Sequence, residues 1–237
     1  MSTGQVKGQS SPQMPGTYFD WVNDLVTIAD ALGYHQFGVT GWSEGGPWAL
    51  AAAAYIDPNR LRHVSSIAGG SYGTFGDDWP TEYLAGSDKL GFLALHVRPG
   101  FRLMYAAVDL PAKRFPDWFY TALKKAVNPY DRDILETPGF EAAFMQATAE
   151  CFAQGADGLV RDAEVLYRQW SFDVRMIRRG VHIRQGLDDR LVPADINKIV
   201  SDRMPGAIWH PVQDAGHFVA VGSGDEIFAI AANELSA

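Results

Sequence analysis

The sequence contains a single cysteine, no long apolar run and no excess of positive charge. Because Cys151 is the only cysteine among 237 residues, no disulfide can form within the chain, as expected in a reducing compartment. No apolar run approaches the roughly 18 residues of a membrane span, and the polar N-terminus lacks the apolar core of a signal peptide. These absences predict a cytoplasmic protein that does not bind a membrane.

The charge balance and the histidine spacing exclude further classes of partner. The formal net charge is −8 at pH 7, whereas nucleic-acid binding depends on neutralising phosphates with Lys and Arg. No nucleic-acid partner is therefore predicted. Apart from His217, the histidines are scattered along the chain without the spacing of zinc ligands, so we predict no metal and no other cofactor. They are His35, His63, His96, His182 and His210.

Short apolar strands alternate with amphipathic helices along much of the chain. The apolar periodicity predicts a first helix over Tyr18–Leu32, which Gly33 ends. Four strands are predicted, at Gln36–Gly41, Arg62–Gly70, Val181–Gly186 and Ala207–Val212. Further helices are predicted over Glu44–Ile56, Pro193–Met204 and Gly224–Leu235. Such alternation indicates an α/β fold with a parallel sheet and crossover helices on its faces.

Residues 71–180 interrupt this alternation. They contain no convincing strand, and they are rich in aromatic residues. Helices are predicted near Lys89–Val108, Asp117–Ala126, Gly139–Phe152 and Leu159–Trp170. We therefore predict a core made of residues 1–70 and 181–237, with residues 71–180 as a helical insertion over the carboxyl edge of the sheet.

The segment GWSEGG lies where the second predicted element, a strand, turns at once into a helix. Gly41 and Gly45 flank Ser43 at two positions on either side, and we expect them to remove side chains that would clash in so tight a turn. The hydroxyl is then held in the open, and the amide of Glu44 lies at the helix amino end, where negative charge is favoured. The pattern predicts a serine nucleophile, although a glycine-rich turn with an N-capping serine has the same residues.

A serine nucleophile needs a base, and an acid and a histidine follow at suitable places. RQGLDDRLVP puts Asp188 and Asp189 after the Val181–Gly186 strand, and QDAGHF puts His217 after the last strand. Taken singly, these residues could simply cap helices. Because the carboxyl ends of parallel strands share one edge of the sheet, we expect a serine, an acid and a histidine to meet there.

From about Tyr18 onward, the chain resembles the α/β-hydrolase superfamily. GWSEGG resembles its nucleophile elbow, GLDDRLVP its acid loop and DAGHF its histidine loop. The family pattern of G-x-x-D followed by V-P selects Asp189 as the acid. The resemblance implies that Ser43 attacks an acyl carbonyl, that His217 takes its proton and that Asp189 orients the imidazole. It also implies an oxyanion site at the Glu44 amide and a helical cap over residues 71–180.

Two features of the family have no counterpart in this sequence. Relatives carry further strands ahead of the elbow strand, and a His-Gly loop among them supplies the second oxyanion amide. Here about 35 residues precede the elbow strand, and no His-Gly dipeptide occurs. We therefore expect a shortened sheet with Gln36–Gly41 at its edge. Either the N-terminal segment folds over this edge, or a second copy pairs with it to form a homodimer.

Hydrolysis of a carboxylic ester requires least of such a site beyond the three residues. A carbon–carbon bond hydrolase of the same fold is an alternative, because such enzymes share similar acid loops. A hydrolase-fold protein that only binds a small molecule is the non-catalytic alternative. The aromatic insertion predicts an apolar pocket for a small, uncharged ester. At most half of the candidate lining residues are expected to face it; they are Trp42, Tyr72, Trp79, Phe101, Tyr105 and Trp118.

Overall fold

A computed structural model describes residues 16–76, 78–79, 81–83, 89, 92, 96, 99–151 and 157–236 of the chain. In chain order, the elements are α1 (Tyr18–Ala31), β1 (Phe37–Trp42), α2 (Gly45–Tyr55), β2 (Leu61–Ile67), α3 (Pro99–Arg114), α4 (Pro116–Ala126), α5 (Pro129–Leu135), α6 (Phe140–Cys151), α7 (Asp157–Tyr167), β3 (Val181–Gly186), α8 (Ala194–Arg203), β4 (Ala207–Val212), α9 (Val219–Gly222) and α10 (Gly224–Ser236). None of the helices in the described ranges has the length and apolar character that crossing a bilayer requires.

The four strands form one parallel sheet in the order β1-β2-β3-β4. The predicted strands β3 and β4 match the structure residue for residue, and β1 and β2 differ by a few residues at their ends. Every residue of β3 is buried, as expected for a strand of a parallel sheet covered on both faces. Within the described residues, β1 lies at one edge of the sheet, where the sequence placed it.

Helices α1 and α2 pack together beside the sheet. α2 is apolar all round, and its residues from Gly46 to Ala53 are buried, because a helix rich in alanine can approach β1 and β2 closely. α1 begins at a capping box formed by Thr17 and Asp20. Tyr18 packs on the ring of Trp48, with centroids 4.5 Å apart. This apolar contact holds α2 in a fixed position against the sheet. It therefore also fixes the turn that contains Ser43, just before α2.

The segment between β2 and β3 is a helical insertion, as predicted. It contains α3 to α7 and three short 3₁₀ turns, at Tyr72–Phe75, Thr81–Tyr83 and Val174–Met176, and no strand among the residues that the structure describes. The helices of the insertion differ from the prediction at their ends, and one of them was not predicted. α3 continues through Pro111 to Arg114, and α5 was not predicted because two turns are too short for a clear apolar period.

Candidate active site

Ser43 occupies a strained turn between β1 and α2. Its φ is +56°, in the left-handed region that residues other than glycine rarely adopt. Its backbone is held on both sides, since its N–H donates to the carbonyl of Ile67 (2.9 Å) and its own carbonyl accepts from Gly46 N–H (2.9 Å). The strain is therefore maintained by the surrounding structure, as is usual where a side chain must be presented in one direction.

The glycines around Ser43 differ in what they contribute. A Cβ on Gly41 would collide with the carbonyl oxygen of Gly45, so the expectation for Gly41 agrees with the structure. The expectation for Gly45 is wrong, because a Cβ there would meet nothing within 4 Å. The second constrained position is Gly46, whose Cβ would lie 2.6 Å from Ser66 Oγ and 2.7 Å from Gly69 Cα. The two glycines differ because of the direction in which a Cβ would point. At Gly46 it would point toward β2 from the buried side of α2, and at Gly45 it would not.

The predicted serine, histidine and acid lie in one line of hydrogen bonds. His217 Nε2 is 2.9 Å from Ser43 Oγ, and His217 Nδ1 is 2.9 Å from Asp189 Oδ2. A carboxylate oxygen accepts, so Nδ1–H donates to Asp189 and Nε2 is left to accept the Ser43 hydroxyl proton. Asp189 and His217 are both buried. Asp188 is exposed, and it contributes a backbone N–H to the carbonyl of Ala215 (2.9 Å).

The carboxylate of Asp189 is fixed by a buried set of hydrogen-bond donors. Oδ1 accepts the backbone N–H groups of Leu191 (2.8 Å) and Val192 (2.9 Å). Oδ2 accepts from Gln185 Nε2 (3.2 Å) as well as facing the histidine. Gln185 is fully buried, and its Oε1 accepts from Asn197 Nδ2 (2.6 Å). The acid loop is thus tied to the end of β3 and to α8, which leaves the carboxylate one orientation.

Asp131 of α5 accepts hydrogen bonds from the backbone of the histidine loop. The sequence did not reveal this role. Its Oδ2 accepts the backbone N–H of His217 (2.7 Å), and its Oδ1 accepts that of Phe218 (2.8 Å). Asn128 caps α5 by accepting Asp131 N–H (2.9 Å) and donates to the carbonyl of Asp214 (3.3 Å). Burial raises the pKa of Asp131, and the two backbone donors act against that rise.

The sequence contains a signal for the start of α5, but none that shows where α5 packs. Asn-Pro at positions 128 and 129 is typical of a helix start, with an N-cap followed by proline in the first turn. Gly216 permits the close approach, because a Cβ there would lie 2.6 Å from Asp131 Cγ. Nothing local in either segment shows that an aspartate of the insertion lies against the histidine loop.

Two of the predicted lining residues adjoin these loops. Trp42 is half-buried; its Nε1–H donates to the carbonyl of His217 (2.8 Å), and the two ring centroids are 5.6 Å apart. Tyr105 of α3 is also half-buried, and its hydroxyl donates to Glu44 Oε1 (3.4 Å). Burial, together with the Glu44 charge, raises the pKa of Tyr105 well above its ordinary value.

The other predicted lining residues have different positions. Tyr72 and Trp79 are buried and stack on each other with centroids 5.0 Å apart, and both stack on Tyr167, so they pack in the main core. Trp118 is 62 % exposed on α4, which does not fit a residue lining an enclosed pocket. Phe101 belongs to α3, but its side chain lies outside the described residues.

Two of the histidines that are scattered along the chain are close together in the structure. The sequence predicted no metal-ligand group, yet His63 and His182 come together with Glu234, and their ligand atoms lie within 4.8 Å of one another. Sequence spacing did not show this because the two histidines lie on neighbouring strands that are far apart in the chain. His35 and His96 are exposed, as a surface reading expects.

We expect Asp131→Asn to misplace the histidine loop. The amide nitrogen of asparagine cannot accept, so one buried backbone N–H loses its partner, at a cost of about 1–3 kcal/mol in the free energy of unfolding. Denaturant unfolding measures this loss, and the rate at which a fluorophosphonate labels Ser43 should fall as well. Asp133→Asn, an exposed position on the same helix, is the matched control. Native stability and labelling rate in Asp131→Asn would contradict the supporting role.

Comparison with known proteins agrees with the fold. The family model of the alpha/beta hydrolase fold matches residues 7–222. The chain therefore belongs to the α/β-hydrolase fold family. Among curated proteins, it is similar to a 2-hydroxymuconate semialdehyde hydrolase of Pseudomonas putida. The two are 25 % identical over 231 residues, covering 97 % of this chain and 73 % of the relative.

Solved structures of several hydrolase-fold proteins have a similar architecture. An esterase of Exiguobacterium antarcticum has a TM-score of 0.66 at 13 % identity, covering 98 % of this chain and 78 % of the esterase. A bromoperoxidase of Bacillus anthracis has a TM-score of 0.67 at 15 % identity, covering 98 % and 79 %. An enol-lactonase of Burkholderia xenovorans has a TM-score of 0.60 at 15 % identity, covering 98 % and 78 %. At such identities the likeness concerns the fold alone.

Proposed function

We propose that this protein is a serine hydrolase that cleaves small, largely apolar carboxylic esters. The observation that carries the proposal is the unbroken hydrogen-bonded line from Ser43 Oγ through the His217 ring to Asp189. These residues follow β1, β4 and β3, so they share the carboxyl edge of the sheet, where ligands bind in open α/β folds. The strained φ of Ser43 is a second supporting observation.

In the proposed reaction, His217 Nε2 takes the hydroxyl proton as Ser43 Oγ forms a bond to the acyl carbon. The carbonyl electron pair moves to the oxygen, and Asp189 stabilises the imidazolium. When the carbonyl re-forms, the bond to the alcohol breaks, and the alcohol leaves with the proton from His217. A water molecule, deprotonated by His217, then attacks the acyl-enzyme, which releases the carboxylic acid and restores the Ser43 hydroxyl.

We assign the Glu44 amide as an oxyanion donor in this reaction. Glu44 is the N-cap residue of α2, an eleven-residue helix. The amino end of a helix favours negative charge, so an oxygen that becomes anionic there is stabilised as the charge develops. One such donor typically contributes about 10²–10³ in kcat.

We also propose that residues 71–180 act as a cap that shapes the substrate pocket. The insertion contacts all three loops of the site. The Tyr105 hydroxyl donates to the carboxylate of Glu44, the residue after Ser43, and Asp131 accepts the backbone N–H of His217 in the histidine loop. The carbonyl of Val127 accepts from Arg190 Nη1 in the acid loop (3.2 Å). A segment so attached can position apolar side chains above Ser43 without contributing to the chemistry itself.

A carbon–carbon bond hydrolase is the second candidate, because the Pseudomonas putida relative is a 2-hydroxymuconate semialdehyde hydrolase. We infer that Ser43, His217 and Asp189 would serve either reaction. The substrates therefore decide between them.

The full chain should turn over p-nitrophenyl acetate and butyrate, and Ser43→Ala should not. The same preparation should be tested with 2-hydroxymuconate semialdehyde, with product release followed by absorbance. Turnover of the semialdehyde without ester turnover would establish the second candidate instead. If the chain turns over none of these substrates and Ser43 is not labelled by a fluorophosphonate, the hydrolase proposal fails. Asp133→Asn serves as the active control.

A further inference from the structure

Three histidines lie side by side on one face of the sheet. His63 is on β2, His182 on β3 and His210 on β4. His182 pairs with Ser65 and with Ile208, so each of the other two histidines is offset from it by two residues. A shift of two keeps all three side chains on the same face. The rings stack in sequence, with centroids 5.4 Å and 5.1 Å apart.

The carboxylate of Glu234, on α10, contacts the rings of His63 and His182. Its Oε2 is 2.6 Å from His63 Nδ1, and its Oε1 is 3.0 Å from His182 Nε2. Each ring is also held through its second nitrogen: His63 Nε2 is 2.9 Å from Ser65 Oγ, and His182 Nδ1 is 2.8 Å from His210 Nε2. One nitrogen of each ring therefore faces the carboxylate, while the other is occupied by a neighbour.

The surroundings favour a neutral imidazole beside an ionised carboxylate. His63 is 1 % exposed, and its pKa is lowered chiefly by burial, while the hydrogen bond and charge of Glu234 act in the opposite direction. Burial by itself would raise the pKa of Glu234, but the hydrogen bonds and charges of His182 and His63 together lower it. Neutral imidazole and carboxylate are the forms that bind a metal ion.

We propose that His63, His182 and Glu234 form a binding site for one divalent transition-metal ion of the zinc class. Two imidazole nitrogens and a carboxylate are a ligand set that suits zinc, and their ligand atoms already lie within 4.8 Å of one another. Ser65 and His210 serve as outer partners that orient the two rings, as is usual around metal-ligating histidines. The Glu234 side chain is 36 % exposed, so water can complete the coordination from the solvent side.

This site is separate from the one that contains Ser43. His63 and His182 lie near the amino ends of their strands, whereas the catalytic candidates follow the carboxyl ends. From His63 to Ile67, four residues along β2 span roughly 13 Å. The ion would therefore not take part in acyl transfer. It would join α10 to β2 and β3, and its binding would stabilise the fold.

Calorimetric titration of untagged, chelator-treated full chain with ZnCl₂ tests the proposal. We expect one ion per chain, a rise in Tm with excess zinc, and visible absorption of a nitrogen- and oxygen-ligated ion when CoCl₂ replaces ZnCl₂. Glu234→Gln should weaken zinc binding by at least about 10–100-fold, and His182→Gln provides the same test should Glu234→Gln not fold. Asp225→Asn, exposed on the same helix, should bind as the native chain does.

The same titration shows whether His217 contributes to zinc binding. His217→Ala should retain full zinc affinity, because His217 belongs to the opposite edge of the sheet. The proposal is overturned if the native chain takes up no zinc, if Glu234→Gln and His182→Gln bind as tightly as the native chain, or if His217→Ala loses the ion.

Discussion

Ser43→Ala and His217→Ala are each expected to lower the rate of ester hydrolysis by about 10⁴–10⁶-fold. A serine hydroxyl is a poor nucleophile until a base takes its proton, and the 2.9 Å separation of Ser43 Oγ from His217 Nε2 places that base correctly. Because the two residues act on the same proton, the double variant should be little slower than either single variant. Initial rates with p-nitrophenyl butyrate give the comparison.

Two exposed positions provide controls of the same chemical change. Ser236→Ala and His35→Ala should hydrolyse the ester at the native rate. Mass spectrometry should show one fluorophosphonate adduct per native chain and none on Ser43→Ala. Additive losses in the double variant would mean that the two residues act independently. Native activity in His217→Ala would exclude His217 as the base.

Gly41→Ala should destabilise the protein by about 3 kcal/mol or more, whereas Gly45→Ala should change stability by less than about 1 kcal/mol. The new methyl group at position 41 would overlap the carbonyl oxygen of Gly45, which is backbone and cannot rotate away. At position 45 the methyl group would enter open space in the first turn of α2. There alanine also has the better helix propensity.

Denaturant unfolding followed by circular dichroism measures both variants against the native chain. Gly46→Ala should resemble Gly41→Ala, because its methyl group would meet Ser66 and Gly69. Equal stability of the variants at positions 41 and 45 would show that the turn can open without cost. The difference between the variants at positions 41 and 45 thus tests the geometry of the turn, independently of any activity.

The elements of the core could be predicted because their signals are local. β3 and β4 are short apolar strands bounded by turn residues, and their ends match the prediction. Because the elbow, the acid loop and the histidine loop each follow a strand, the sequence predicted that a serine, an acid and a histidine lie at one edge. Parallel pairing brings strand ends together whatever the detailed packing, so this inference required no knowledge of contacts. The resemblance to the hydrolase family then selected Asp189 rather than Asp188.

The remaining features depend on register and packing, which no local pattern contains. Spacing along the chain suggested Gly45, but the direction of each Cβ shows that Gly46 is the constrained residue. The alignment of His63 with His182 follows from the pairing of β2 with β3. The hydrogen bonds from the histidine loop to Asp131 depend on how α5 packs against that loop. Periodicity and turn chemistry act over a few residues and determined the elements from the sequence, whereas contacts between distant segments were decided only when the core packed.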